Sequence, residues 1–294
     1  MKSFLKRIIF HIIRVKMWKC RIKRYKKWKI ISYLKKDLRN NQTVEKIEIV
    51  DFLTHNPWSV FPYNFIKKYN RKDTIVYTDN DCGMKYVLQD NKKLYFKNNW
   101  KNKKVQKYYN SLLIEQDVDS PHRYEYSDFH VQKGDIVVDV GVAEGNFALS
   151  IIEEAKRVYL FEVDENWIDA LKMTFAPWKE KVIIVNKYVS DTNNNNCIRL
   201  DDFFKGEQIN FLKADVEGAE LQLLKGAKII LSTQKSMKIA ICTYHKQNDV
   251  ENLNQMLMSY DFHTEFSKGY MIFLHDKTLA PPYLRKGLIR ATKY

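Results

Sequence analysis

A doubly wound α/β fold is predicted by three observations. Strand-like and helix-like segments alternate from Lys133 onward, a glycine turn follows the first of those strands, and carboxylates recur just past strand ends. The run 136–140 (Ile-Val-Val-Asp-Val) is continuously apolar but for one residue, as a strand covered on both faces should be. A helix is expected over 146–154, a strand over 157–162 and a helix over 165–174. Strand 182–189 follows, then an excursion through Asn193 to Asn196 that reads as a loop, then strand 209–214. Helix 219–231, strand 237–243 and helix 250–260 continue the alternation. The segments 262–266 and 270–274, joined by Ser267-Lys268-Gly269, are expected to close the sheet as an antiparallel hairpin.

Two other regions precede this alternation. From Phe4 to Leu34 apolar residues recur near helical spacing among dense Lys and Arg, without Pro or Gly, which predicts one or two basic amphipathic helices. Between Gln42 and Tyr126, short strand-like runs around Ile75, Tyr86 and Leu94 are separated by Asp/Asn-rich turns, which predicts a small α+β region with a hairpin or meander. The expected organisation is therefore a basic arm at 1–40, an accessory region at 41–130, the doubly wound domain at 131–276 and a C-terminal tail at 277–294.

Charge is segregated along the chain. The 294 residues carry a formal +15, yet residues 1–36 hold 14 Lys/Arg and no Asp or Glu, leaving 36 basic against 35 acidic side chains in the remainder. A near-neutral body argues against a protein that grips nucleic acid over its whole surface, and the arm needs its own explanation. Such an arm could lie on an anionic membrane surface, grip RNA phosphates, or pack its apolar stripe on the body or in a homo-oligomer. The apolar content of Ile8 to Ile13 favours a greasy partner over RNA. That run is too short to span a bilayer, and four scattered cysteines without C-x-x-C pairs suit a reducing cytoplasm, with peripheral placement at the inner face of the membrane as the further expectation.

The cofactor motif is Asp139-Val-Gly141-Val-Ala143-Glu-Gly145-Asn146. It sets a carboxylate at a strand end and two glycines in the turn that opens a helix, where backbone can approach a ligand closely. A dinucleotide fingerprint needs glycine at position 143, where this chain has Ala143. The spacing suits a cofactor without pyrophosphate, whose cationic amino acid moiety Asp139 helps to hold. Glu162, at the end of the next strand, is placed to accept ribose hydroxyls. Ser190 and Asp191, after the third strand, are placed near an adenine edge.

The stretch Phe211-Leu-Lys-Ala-Asp215-Val-Glu217-Gly218-Ala-Glu220 resembles FkbM-type methyltransferases. So do the Asp139 to Gly145 motif, Phe161-Glu162, Arg199-Leu-Asp201-Asp202-Phe203 and Thr243-Tyr244-His245, from about Glu115 to Leu274. Val163 departs from the proline found there in many relatives. The resemblance implies a class I methyltransferase fold, S-adenosylmethionine as cofactor, and hydroxyl groups of sugars or polyketides as acceptors.

Methyl transfer to a hydroxyl needs in-line approach and a group that takes the proton. His245 is the first candidate base, because histidine titrates near neutrality, with Asp215, also expected among the cofactor-binding residues, or Glu217 as alternatives. These three residues could otherwise hold a divalent metal, although no dedicated metal spacing is present. His122, Arg123 and Tyr124 behind Pro121, with Tyr244, are expected to contact a small-molecule or glycan acceptor. Competing readings are an RNA methyltransferase that uses the basic arm, and a non-catalytic membrane tether with a vestigial pocket. Against a base-modifying RNA enzyme, the segment after the fourth strand lacks the aromatic N-P-P-Y type that stacks a flipped base.

Overall fold

The computed structural model describes residues 21–294. The chain divides into two compact units, one made of residues up to 64 with 270–285, the other of 65–269 with 286–294.

In the first unit residues 21–37 are helical, and α1 spans Val44–His55, started by Thr43, whose hydroxyl accepts the Lys46 amide at 3.3 Å. Ile30 and Leu34 are buried, as are Ile49, Phe52 and Leu53 of α1. The Lys46 ammonium meets Asp37 at 2.7 Å, and the Lys27 ammonium donates to the Asn56 carbonyl at 2.7 Å. The described part of the expected basic arm is thus core material of this unit rather than a free arm. Residues 1–20, with the Ile8 to Ile13 run, lie outside the described residues. No described helix is long and apolar enough to cross a membrane.

The second unit begins with an antiparallel meander, β1 (Tyr77–Thr78), β2 (Lys85–Gln89) and β3 (Lys92–Tyr95), followed by α2 (Asn102–Glu115). The expected meander is present, but the expected boundary at 130 is not. Leu94, Phe96 and Leu112 belong to the same buried cluster as Phe147 and Leu171 of the doubly wound domain.

The main sheet contains β4 (Ile136–Val140), β5 (Arg157–Phe161), β6 (Val182–Val185), β9 (Phe211–Ala214), β10 (Met237–Cys242), β11 (His263–Phe266) and β12 (Leu288–Lys293). Among the described residues its order is β11-β12-β10-β9-β4-β5-β6, parallel except at β12. A separate short ladder pairs β7 (Tyr188–Val189) with β8 (Cys197–Ile198). Alternating residues of β4 feed opposite layers: Val137 joins the cluster with Phe147 and Leu171, and Val138 the cluster with Leu223 and Leu253. The helices are α3 (Asn146–Ser150) and α4 (Glu165–Thr174) on the first face. On the second are α5 (Leu200–Phe204), α6 (Glu220–Lys225), α7 (Lys228–Thr233) and α8 (Asp249–Met258). The expected single helix 219–231 is broken at Gly226. A Cβ there would lie 2.0 Å from the Ser190 carbonyl oxygen, and the carboxylate of Asp201 starts α7 by accepting the Ile229 and Ile230 amides.

The doubly wound expectation holds, whereas the closing hairpin is built differently. β11 pairs with Leu288–Lys293, not with 270–274, which lie in the first unit. There the Ile272 amide donates to the Val60 carbonyl at 3.0 Å, and Met271 bridges to Arg285. The expected tail therefore supplies an interior strand. Leu288, Ile289, Arg290 and Ala291 are all buried, as a strand with partners on both edges requires.

Candidate functional site

The site lies where β4 and β9 adjoin, since the connections from these neighbouring strands depart in opposite directions and open a crevice at their carboxyl ends. Its cofactor side begins with the turn after β4. Gly141, at φ 73°, passes so close to β9 that a Cβ would sit 1.9 Å from the Asp215 carbonyl oxygen. The first glycine is therefore fixed by internal packing as well as by ligand approach. Ala143 turns with φ 50° and donates its amide to Glu162 Oε2 at 2.8 Å. Glu162 Oε1 accepts the Val163 and Asp164 amides at 2.7 and 2.8 Å. Proline at 163 would remove one of these donors, so the departure noted in the sequence strengthens the carboxylate's seat. Glu162 is half-buried and is held by backbone alone, with lone pairs left over for hydroxyl donors. Asn146 starts α3, its side-chain oxygen accepting the Phe147 amide at 2.7 Å. Ser190 and Asp191 hydrogen-bond each other at 3.3 Å beyond β7.

Asp139, expected from the sequence to help hold the cofactor, has a partner within the protein. It is 1% exposed and forms an ion pair at 2.9 Å with the ammonium of Lys213, which also donates to the Gly141 carbonyl at 2.8 Å. Burial alone would lower the proton affinity of Lys213, but the charges of Asp139 and Asp215 hold its pKa above the ordinary lysine value. Lys213 went unnoticed in the sequence, although a lysine inside the buried strand Phe211–Ala214 must find a partner.

On the acceptor side Asp215 is the centre. Its Oδ1 accepts the Tyr244 hydroxyl at 2.9 Å and its Oδ2 the Tyr124 hydroxyl at 3.1 Å. The Nε2 atoms of His122 and His245 each lie 3.5 Å from it. Burial would raise the Asp215 pKa. The His122 hydrogen bond and charge, with the charges of Lys213 and His245, outweigh burial and hold it well below the usual carboxylate range. His122 Nε2 also meets the Tyr244 hydroxyl at 3.2 Å and Cys242 Sγ at 3.7 Å. His245 places Nδ1 2.8 Å from Glu220 Oε1, and its Nε2 is 3.8 Å from Glu217, whose side chain is almost fully exposed. Burial works against charging His245, yet Glu220, Asp215 and Glu217 together raise its pKa.

Five residues singled out in the sequence thus converge: His122, Tyr124, Asp215, Tyr244 and His245. Arg123 does not join them. Its guanidinium donates to the carbonyls of Gln116 (2.9 Å) and Glu125 (2.7 Å) and lines a cavity of about 390 Å³ with Tyr69, Gln89, Tyr109 and Asn146.

Sequence reasoning also missed Glu144 and Glu220. Glu144, between the two glycines of the turn, is buried and accepts the Tyr108 hydroxyl at 2.8 Å; burial pushes its pKa up to about 7. A carboxylate between glycines of a cofactor turn, opposite a helix rich in tyrosine, was the available signal. As for a metal, two compact donor groups occur among the described residues, His122 with Asp215 and Cys242, and Asp215 with Glu220 and His245. Glu217 belongs to neither.

A parallel sheet with one antiparallel strand in this order, carrying a glycine turn after β4 and an acidic strand end on β5, is a class I methyltransferase fold. Residues 86–270 match the family model described as the methyltransferase FkbM domain, and the chain belongs to that family. Similar solved structures include an FkbM methyltransferase from Methylobacillus flagellatus KT, at 19% identity and TM-score 0.45, covering 65% of this chain and 53% of that one. Another is SMU.1697c, described as a methyltransferase from Streptococcus mutans in complex with SAH, at 16% identity and TM-score 0.39, covering 55% and 90%. An rRNA methylase from Streptococcus thermophilus has 16% identity and TM-score 0.38, covering 55% and 88%. The chain thus spans about half the length of the first of these. No curated protein sequence matches it.

Proposed function

We propose that the chain methylates a hydroxyl group on a sugar, sugar nucleotide or surface-glycan precursor, with S-adenosylmethionine as donor. The observation that carries this reading is the Asp215 cluster, two histidines and two tyrosines gathered on one carboxylate beside the glycine turn. S-adenosylmethionine, when bound, supplies a methyl group on a sulfonium. The residues present fit it: Glu162 offers acceptor lone pairs to a ribose diol, Ser190 and Asp191 offer polar groups to a base edge, and Asp139 holds Lys213 against the Gly141 carbonyl of the glycine turn. His245 would take the proton of the acceptor hydroxyl as that oxygen is methylated. Asp215 stays ionised and stabilises the imidazolium so formed. His122, Tyr124 and Tyr244 orient the acceptor, and Arg123 and its cavity take the parts of the acceptor remote from the reacting oxygen.

Label transfer from methyl-tritiated S-adenosylmethionine to a panel of sugars, sugar nucleotides and RNA tests this. Incorporation into a carbohydrate, lost in His245→Ala while cofactor binding persists, is expected. Label in RNA alone would establish the RNA reading, and cofactor binding without turnover on any acceptor the non-catalytic one.

The same proposal places the chain in the cytoplasm, at the inner face of the membrane, through its basic residues. Because Ile30 and Leu34 are buried, the test removes residues 1–20 only. Full-length protein should sediment with anionic vesicles at low salt, and the shortened chain much less. Equal sedimentation of both would end the membrane role of that segment.

A further inference from the structure

Glu220 opens α6 with its side chain fully buried. Its Oε1 accepts the Val216 amide at 3.1 Å and the Gly218 amide at 3.4 Å, and lies 2.8 Å from His245 Nδ1. One carboxylate oxygen therefore serves both the loop that follows Asp215 and the ring that follows β10. The opposite ring nitrogen, Nε2, faces Asp215 Oδ1 at 3.5 Å and Glu217 Oε2 at 3.8 Å.

From this geometry we infer that Glu220 is the positioning residue of His245: it binds the Nδ1 proton, fixes the ring and leaves Nε2 as the nitrogen that exchanges a proton with the acceptor. The inference rests on the reading of His245 as base.

A neutral imidazole has one donor and one acceptor nitrogen, and the partner of one nitrogen decides the role of the other. A buried carboxylate beside Nδ1 strongly favours a proton there, because a lone pair in that place would face a negative charge out of reach of water. The arrangement follows the general logic in which a nucleophile's base is itself oriented by a third group. Glu220 adds a second constraint. By holding the Val216 and Gly218 amides it fixes the loop in which Glu217 adopts φ 53°, and with it the distance from Asp215 to the ring. The other charged groups around His245 are Asp215, Glu217 and Asp249. The Lys246 ammonium is turned to the Gly218 carbonyl. Carboxylates dominate this set, in keeping with the raised proton affinity of the ring.

Nitrogen NMR on full-length protein labelled with ¹⁵N-histidine reads the ring directly and needs no acceptor. The His245 signals are those lost in His245→Gln. In the wild type the neutral ring should carry its proton on Nδ1, with a titration midpoint above the ordinary histidine value. Glu220→Gln retains an oxygen for Nδ1–H but removes the charge, so its midpoint should fall. A proton on Nε2 in the neutral wild-type ring would overturn the inference without any variant. So would an unchanged midpoint in a Glu220→Gln protein that melts cooperatively. Full turnover in His245→Gln is a separate result, which would remove the base reading while the NMR result stood.

Discussion

The two halves of the site are built from different materials. Glu162 is held by three backbone amides, two of them from the next two residues, so its seat is local in sequence. Asp215 is held by side chains from positions 122, 124, 244 and 245, brought together only by the sheet order. A seat made of backbone tolerates change in the surrounding side chains. A seat made of side chains can be disabled by any one of them. Lys213 joins the halves, touching Asp139 and the Gly141 carbonyl while sitting two residues from Asp215.

Removing that join should produce the largest effect. Lys213→Met leaves Asp139 buried without its cation, and stability should fall by about 3–5 kcal/mol, read from urea unfolding. A loss below about 1 kcal/mol would mean that the halves stand independently. A smaller and more selective effect is expected from Glu162→Ala, which should weaken S-adenosylmethionine binding about 10- to 100-fold by calorimetry, as loss of a charged hydrogen bond worth about 1.5–3 kcal/mol implies. Unchanged affinity would exclude Glu162 from the cofactor site.

The smallest effect is a pH dependence. Burial raises the Glu144 pKa from 4.5 to about 7, so the folded chain binds this proton more tightly than the unfolded one. The stabilisation from that proton is complete below about pH 4.5 and is lost as pH rises through about 7. Glu144→Gln, which still offers an oxygen to Tyr108, should therefore melt a few degrees above wild type at pH 8, and the gap should close toward pH 4.5. A gap that is constant with pH would show that Glu144 does not titrate in this range.

The same contrast explains what was legible in the sequence. The glycine turn and Glu162 are separated by short, regular offsets, so their spacing alone exposes them. His122, Tyr124, Asp215 and Tyr244 were found because they lie beside turns or strand ends, while their convergence on the Asp215 carboxylate could not be read from spacing. Glu220 was quoted only as part of a motif, because a side chain that acts by touching another has no periodicity of its own. Asp139 has a partner that spacing does not reveal, since only the fold brings Lys213 beside it. The sheet's last strand was misplaced because 270–274 reads as well as Leu288–Lys293 for a strand. What separates them is a long-range pairing with β10 that no local pattern encodes.

That strand sets the order of events as the chain is made. β12 lies between β10 and β11 in the sheet but follows both in sequence, with residues 270–285 of the first unit emerging in between. Until Leu288–Lys293 has left the ribosome, β10 presents an open edge of unpaired amides and carbonyls, and β11 has no neighbour. A nascent chain halted anywhere in that interval exposes a sticky strand whose proper partner does not yet exist, so the interval before Leu288–Lys293 emerges is the period in which this sheet most needs chaperone protection.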